Sequence, residues 1–523
     1  MPAGEVYDFV VVGAGSAGCA VAHRLATRTD ATVLLIEAGG PDTRPEIHDE
    51  RLAATMSLWG PSEIDWGYVT EPQDGLHGRT VPVARGKVWG GSSSINAMVY
   101  VRGNRRDFDH WHELGNTGWG YQDVLPHFRE MENFEGGASG YRGADGPLSV
   151  IYHSDPTPVA DRLFEAGAEI GLRAEDRRFD YNAEHQEDTV FYYQATKTRE
   201  HRRASTAVAY LRPIMDRPNF TLRSNAQVSR VVIEHGRAVG VEYIVDGRVE
   251  RVRADREVVL SCGAYESPKL LMLSGIGPAA TLAGHGIDVV ADLPGVGQNL
   301  QDHMILGVVY LSKQEQPSEP TLIAETGLFT RSSQVGPDAS PNVQFKVGGL
   351  KFVSPELDRP GPGFTFAPVI VQPRSVGTIG LRSNDPAATA VLQPNYLADP
   401  HDVDTFVESI ELARTLAHTS AYAEFTDVEI APGPEVRSRA ELAEFARRNA
   451  GTLWHPVGTC SMGEVVDSEL RVRGVDGLRV ADASVMPKIV AGNTNAACIM
   501  IGEKAAALIS AANLTVHSGA SEG

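Results

Sequence analysis

Tyr7-Asp8-Phe9-Val10-Val11-Val12-Gly13-Ala14-Gly15-Ser16-Ala17-Gly18 is the stretch whose reading decides the fold. Phe9–Val12 is an unbroken apolar run rich in valine, as expected for a parallel strand covered on both faces. The glycines follow at once, and then CAVAHRLA, whose Ala20, Val21 and Leu25 share one face of a helix. In this strand, turn and helix, Gly13 makes the tight turn, Gly15 admits a diphosphate close to the backbone, and Gly18 lets the helix pack against the strand. Amides at the helix start then face phosphate oxygens. A second apolar strand, Thr32–Ile36, ends at Glu37, 19 residues beyond Gly18, where a carboxylate accepts hydrogen bonds from an adenosine ribose. A chance glycine turn would lack both strands and the terminal acid. The fingerprint specifies a dinucleotide without distinguishing FAD from NAD.

At 523 residues the chain exceeds a single core, and 42% hydrophobic content is ordinary for a folded protein. A formal charge of -20 disfavours nucleic acid and anionic bilayers as partners. The basic segments Arg79–Arg106 and Arg199–Arg203 read as ligand contacts or solvated surface. Cys19, Cys262, Cys460 and Cys498 have no metal-ligand spacing and read as structural thiols. No apolar run approaches the roughly 20 residues of a membrane span, and no basic segment precedes the first hydrophobic run. The expectation is a cytoplasmic protein without a membrane anchor, no metal, and an oligomeric state the sequence leaves open.

Further along, Gly86-Lys87-Val88-Trp89-Gly90-Gly91-Ser92-Ser93-Ser94-Ile95-Asn96 combines glycines that allow close passage around a bulky ligand with Ser and Asn as directed polar contacts. A generic serine-rich loop is the alternative. With this segment the chain resembles the glucose-methanol-choline (GMC) oxidoreductases. The two family signatures correspond to GKVWGGSSSINAMVYVRGNRRDFD from Gly86 and GAYESPKLLMLSGIG from Gly263. The similarity continues through LPGVGQNLQDH at Leu293–His303, HPVGTCSMG at His455–Gly463 and ADASVMPKIVAGNTN at Ala481–Asn495.

The resemblance implies an α/β, Rossmann-like FAD-binding domain and a discontinuous α+β substrate domain containing an antiparallel sheet. Residues 1–155, 205–305 and 452–512 are assigned to the first, 156–204 and 306–451 to the second, and 513–523 to a loose tail. It further implies FAD contacts at Gly13, Gly15, Ser16, Gly18, Glu37, Ala38, Gly86, Gly90, Gly91, Asn96, Ala97, Val99, Val228, Cys262, Asp482, Ala483, Asn493 and Thr494. Where covalently flavinylated choline oxidases of the family carry a histidine, this chain has Ile95, so FAD is expected to be held noncovalently.

Oxidising an alcohol needs an acceptor for the hydroxyl proton while a carbon hydride moves to flavin N5. A histidine, with an ordinary pKa near 6.5, is largely neutral at physiological pH and suits the first task. In the resemblance that role falls on His455, otherwise readable as a core histidine, and the family's second position, His or Asn, falls on Asn493. Asn493 cannot act as a base but can hydrogen-bond the alcohol. Pro456 biases His455 toward an extended backbone, and Trp454 and Phe345 are expected beside the substrate. Trp59, Trp66, Tyr100 and Phe366 read equally as pocket walls or core. The implied activity is FAD-dependent oxidation of an alcohol or sugar, with oxygen as electron acceptor. The alternatives are a dehydrogenase using a quinone or another acceptor, and a noncatalytic flavin-binding interaction protein.

Between the signatures, helices are expected from Pro158 onward, over Asp402–Ala417 and over Arg437–Arg448, with a loop at APGPE, residues 431–435. Strands are expected at Met304–Tyr310, at Thr378–Leu381, and at Asn342–Phe345 as a half-buried alternating strand. A last helix is expected over Met500–Ala511.

Overall fold

Val10, Val11 and Val12 are buried because their strand, Val6–Val12 (β1), has a parallel neighbour on each side. Val10 lies opposite Leu34 of Val33–Ile36 (β2) and opposite Val258 of the long strand Arg248–Leu260. Outside β2 the sheet adds Phe220–Arg223; beyond Arg248–Leu260 it turns antiparallel through Arg237–Val245 and Gln227–Glu234, while Leu478–Val480 pairs in parallel with Val258–Leu260. Helix Ser16–Arg28 (α1) leaves the glycine turn and packs against the last helix, Asn495–Gly519. Both ends of the chain are thereby brought to one nucleotide-type sheet. The computed structural model describes residues 5–519 apart from 50, 154, 184–185 and 318–319, with side chains described through 512.

A second sheet is wholly antiparallel: Thr326–Thr330, Val343–Gly348, Gly363–Ile370, Met304–Ile305 and Gly451–Thr452 in order, with Val308–Ser312 joining Gly363–Ile370 to Thr426–Ala431. One face carries a core that includes Phe345, Phe364 and Phe366 together with Phe406 and Ile410 of the helix Pro400–Ala417. The α/β domain with an antiparallel substrate-side sheet is therefore as expected. The segment 156–204 divides: Val159, Leu163 and Phe164 join this second core, whereas Gln194–Ala195 pairs with Val99–Tyr100 and Leu148–Tyr152.

Local differences from the sequence reading have physical causes. Val343–Gly348 is buried at every position rather than alternately, because its second face looks onto a cavity wall instead of solvent. The expected strand Met304–Tyr310 is two strands broken at Leu306-Gly307, and the helix from Pro158 is two short pieces, Pro158–Asp161 and Leu163–Glu169. The last helix does not end at Ala511; its backbone continues to Gly519, so a loose tail from 513 is not found, and 520–523 lie outside the described residues. Within that helix, Asn495–Ala512 is long and apolar enough to cross a membrane by composition, contrary to the sequence reading, but 56% of it is buried within the fold. Packed on α1, it reads as a core helix.

Candidate active site

One cavity runs between the two sheets, from the glycine turn to His455 and Asn493. At its first end the backbone of Gly13 adopts φ +98°, and a side chain there would meet the Ser261 carbonyl at 2.5 Å. A Cβ on Gly18 would lie 1.9 Å from the Gly13 carbonyl oxygen, so only glycine lets α1 approach the turn this closely. Gly15, Ser16 and Ala17 line the cavity; α1 has no side-chain cap and no acid in its first turn, leaving its amides free for an anion. Glu37 accepts hydrogen bonds from the Ala14 and Gly39 amides, both at 2.8 Å, and burial raises its pKa to about 6. These features fit the diphosphate and ribose of a dinucleotide.

Farther in, Gly86–Asn96 folds back on itself and its polar groups are held from behind by Arg203. That guanidinium, 2% exposed, donates to the Asn96 carbonyl at 2.6 Å, to Asn96 Oδ1 at 2.9 Å and to the Ile47 carbonyl at 3.0 Å. Burial pushes its pKa down to about 9. Part of the basic segment Arg199–Arg203 is thus an internal brace rather than a surface or ligand contact. Asp482 accepts from the Gly263 amide at 2.8 Å, the Ser484 amide at 2.8 Å and the Ser267 hydroxyl at 2.5 Å. Asn495, whose role the sequence leaves open, accepts from Ser16 Oγ at 2.7 Å and ties the start of the last helix to the start of α1.

At the other end a chain of hydrogen bonds runs in one direction. The Val371 carbonyl can only accept, so His303 Nε2, 3.1 Å away, carries a proton. In a neutral ring His303 Nδ1 is then an acceptor, and it sits 2.9 Å from His455 Nδ1, which must be the donor. That tautomer leaves the lone pair of His455 on Nε2, 3.3 Å from Asn493 Nδ2. Lys346 Nζ donates to Asn493 Oδ1 at 3.1 Å, which turns the amide's N–H toward His455. Both histidines are held neutral: burial lowers His303 to about 3 and drives His455 well below 6.5, with His303, Lys346 and Arg85 adding to the effect on His455.

The turn that presents His455 is clamped by Asp302. One carboxylate oxygen accepts from the His455 amide at 2.7 Å; the other accepts from Thr452 Oγ1 at 2.5 Å and Tyr396 OH at 2.6 Å. Trp454, between them, is held at φ 61°, a conformation that costs a bulky residue about 1–3 kcal/mol and persists because its surroundings over-determine it. Thr452 Oγ1 accepts from its amide at 2.8 Å, and its ring meets Trp59 edge-on.

Of the expected contacts, Gly13, Gly15, Ser16, Glu37, Ala38, Gly86, Gly91, Asn96, Ala97, Val99, Val228, Cys262, Asp482, Ala483, Trp454, His455, Asn493 and Thr494 all line this one cavity. Gly18 and Gly90 stand behind its wall, packed against the Gly13 backbone and Ala207 respectively. Phe345 is not at the substrate end. Strand alternation sends it, fully buried, into the core of the second sheet, while its neighbour Lys346 faces the cavity. Trp59 and Trp66 line the cavity; Tyr100 and Phe366 are core. The sequence reading missed His303, Asp302, Lys346 and Arg203. The first two stand in the quoted motif LPGVGQNLQDH, where a buried acid-histidine pair is a legible signal; Lys346 and Arg203 carry no motif of their own.

GMC oxidoreductase family models match residues 7–305 with the family's N-terminal part and residues 373–502 with its C-terminal part. This chain is a GMC oxidoreductase. Like that family it is an FAD-dependent enzyme that oxidises alcohols. An oxygen-dependent choline dehydrogenase from Sinorhizobium fredii is 41% identical over 95% of this GMC chain and 94% of its own length. Pyridoxine 4-oxidase from Mesorbium loti superposes with a TM-score of 0.90 at 35% identity, covering 96% of this chain and 98% of its own. A variant of Aspergillus oryzae formate oxidase gives 0.87 at 27% identity, over 98% and 99% of the two chains.

Proposed function

We propose that this enzyme oxidises an alcohol to an aldehyde or ketone with His455 as the base, Asn493 as the group that positions the hydroxyl, and oxygen as the final electron acceptor. The observation that carries the assignment is the tautomer chain: His303 occupies His455 Nδ1 and leaves Nε2 as an acceptor beside Asn493. A hydroxyl placed there gives its proton to His455 Nε2 while its oxygen accepts from Asn493 Nδ2. Burial keeps His455 neutral and so ready to accept. When bound, FAD would supply the hydride acceptor at N5 and the route by which the electron pair reaches oxygen. The oxygen reading is supported by the words "oxygen-dependent" and "oxidase" in the names of the relatives. Gly13, Gly15 and Ser16 would hold the diphosphate, Glu37 the ribose, and Gly86–Asn96, Asp482 and Thr494 the remainder of FAD. Noncovalent attachment is favoured because buried Ile95, packed with Trp59 and Trp454, offers no nucleophile at the family's attachment position.

His455→Ala tests the assignment. The variant retains flavin but loses ~100-fold or more of the rate at which an alcohol bleaches the flavin anaerobically. Near-normal bleaching across pH 6–9 would remove His455 from the role.

A further inference from the structure

Within the alcohol-oxidising reading, on which this inference rests, the substrate's other end is open. Lys346 rises from Val343–Gly348 directly opposite Ala367 and is 7% exposed. Its ammonium donates to Asn493 Oδ1 at 3.1 Å and lies 4.9 Å from the centre of the Tyr193 ring. Among the described residues no carboxylate comes within 4.0 Å of it; the other cavity-lining cations are engaged, Lys269 with Glu266 at 3.2 Å and Arg85 with the Ala84 and Trp454 carbonyls. The described carboxylates that line the cavity are also committed: Glu37 to amides, Glu266 to Lys269 and Tyr68, Asp482 to two amides and a hydroxyl. A buried ammonium with no counter-charge is costly, and burial alone draws Lys346 down to about 7. Beside it Ala367, Ile305 and Leu453 form a single apolar cluster.

We infer that Lys346 reads the substrate, and that the substrate is an alcohol carrying a carboxylate across a short apolar spacer. The hydroxyl sits at His455, the spacer lies along the wall of Ala367, Ile305 and Leu453, and the carboxylate supplies the counter-charge that Lys346 lacks. The separation suits a small hydroxy acid, because one carboxamide, that of Asn493, links the base to the ammonium. A quaternary ammonium such as choline would instead place a further cation beside Lys346, in a cavity whose described carboxylates are already engaged. The substrate named for the Sinorhizobium fredii relative therefore does not carry over.

The test uses the FAD-loaded enzyme with 4-methylbenzoate, which cannot be oxidised, and the pair 4-(hydroxymethyl)benzoate and 4-methylbenzyl alcohol. Wild type binds 4-methylbenzoate, read as a perturbation of the flavin spectrum, and Lys346→Met weakens that binding ~10- to 100-fold, as loss of a charge-assisted hydrogen bond should. Wild type also reduces its flavin with a higher kcat/KM for the hydroxybenzoate than for the neutral alcohol; that ratio collapses ~10-fold or more in Lys346→Met and partly returns in Lys346→Arg. Taking a ratio removes any general damage to Asn493. Equal Kd values for wild type and Lys346→Met, an unchanged ratio, or choline outpacing both alcohols would each overturn the inference. If 4-methylbenzoate binds through Lys346 but no alcohol bleaches the flavin, the carboxylate contact of Lys346 stands, while the alcohol-oxidising reading fails and takes with it the placement of a hydroxyl at His455.

Discussion

His303→Phe probes whether the tautomer of His455 is set from behind. The substitution keeps a planar ring in a fully buried site but deletes the Nδ1 acceptor opposite His455 and the Nε2 donor to Val371. Leaving His455 Nδ1–H without its partner removes the preference for the productive tautomer. A buried hydrogen bond left unmade is worth ~1–3 kcal/mol, which corresponds to ~5- to 150-fold in the fraction of His455 with its lone pair on Nε2. Anaerobic stopped-flow reduction by the fastest alcohol of a panel should therefore slow ~10- to 100-fold, with flavin content unchanged. Because His303 also helps depress His455, the acid limb of the rate profile should move upward. His303→Gln should recover most of the rate, since its carbonyl can accept from His455 and its amide can donate to Val371. A His303→Phe enzyme that reduces flavin at the wild-type rate, or a His303→Gln enzyme as slow as the phenylalanine variant, would refute the argument.

The pH dependence of the base follows from the lowered pKa of His455: a protonated imidazole cannot accept the hydroxyl proton. In Lys346→Met, which removes the ammonium that titrates at about 7, the reduction rate by a neutral alcohol should therefore be flat from pH 8 down to 6.5 and fall only below it. An acid limb centred at or above 7 would contradict that environment. Precipitating the holoenzyme with acid should release the flavin into the supernatant, since Ile95 cannot anchor it; flavin retained in the denatured pellet would show a covalent bond made elsewhere in the cavity.

Much of the cofactor end was legible because its demands are local. A strand, a glycine turn and a helix must be consecutive to cradle a diphosphate, so Gly13, Gly15, Gly18 and Glu37 could be assigned roles from spacing alone. His455 and Asn493 were named from motif order, and they do meet at 3.3 Å across 38 residues of chain. The substrate end was less legible. Phe345 was expected there and Lys346 was not, because an alternating strand tells which residues share a face but not what that face looks onto. A lone lysine on a strand ordinarily marks the solvent side; here both faces are covered, one by the aromatic core and the other by the cavity.

The sequence by itself determined a dinucleotide-binding α/β domain and the family, and through the family resemblance it named His455 and Asn493 as the pair proposed to face the alcohol. These are written in contiguous motifs whose glycines and acid have no other economical use. Only the tertiary structure decided the direction of the hydrogen bonds. His303 stands 152 residues from His455 and Lys346 stands 147 from Asn493, so neither pairing has a sequence signature. Which nitrogen of His455 holds a lone pair depends on which atom of a distant ring packs against the other. Among the described residues, the same packing leaves the Lys346 ammonium without a carboxylate at the far side of Asn493.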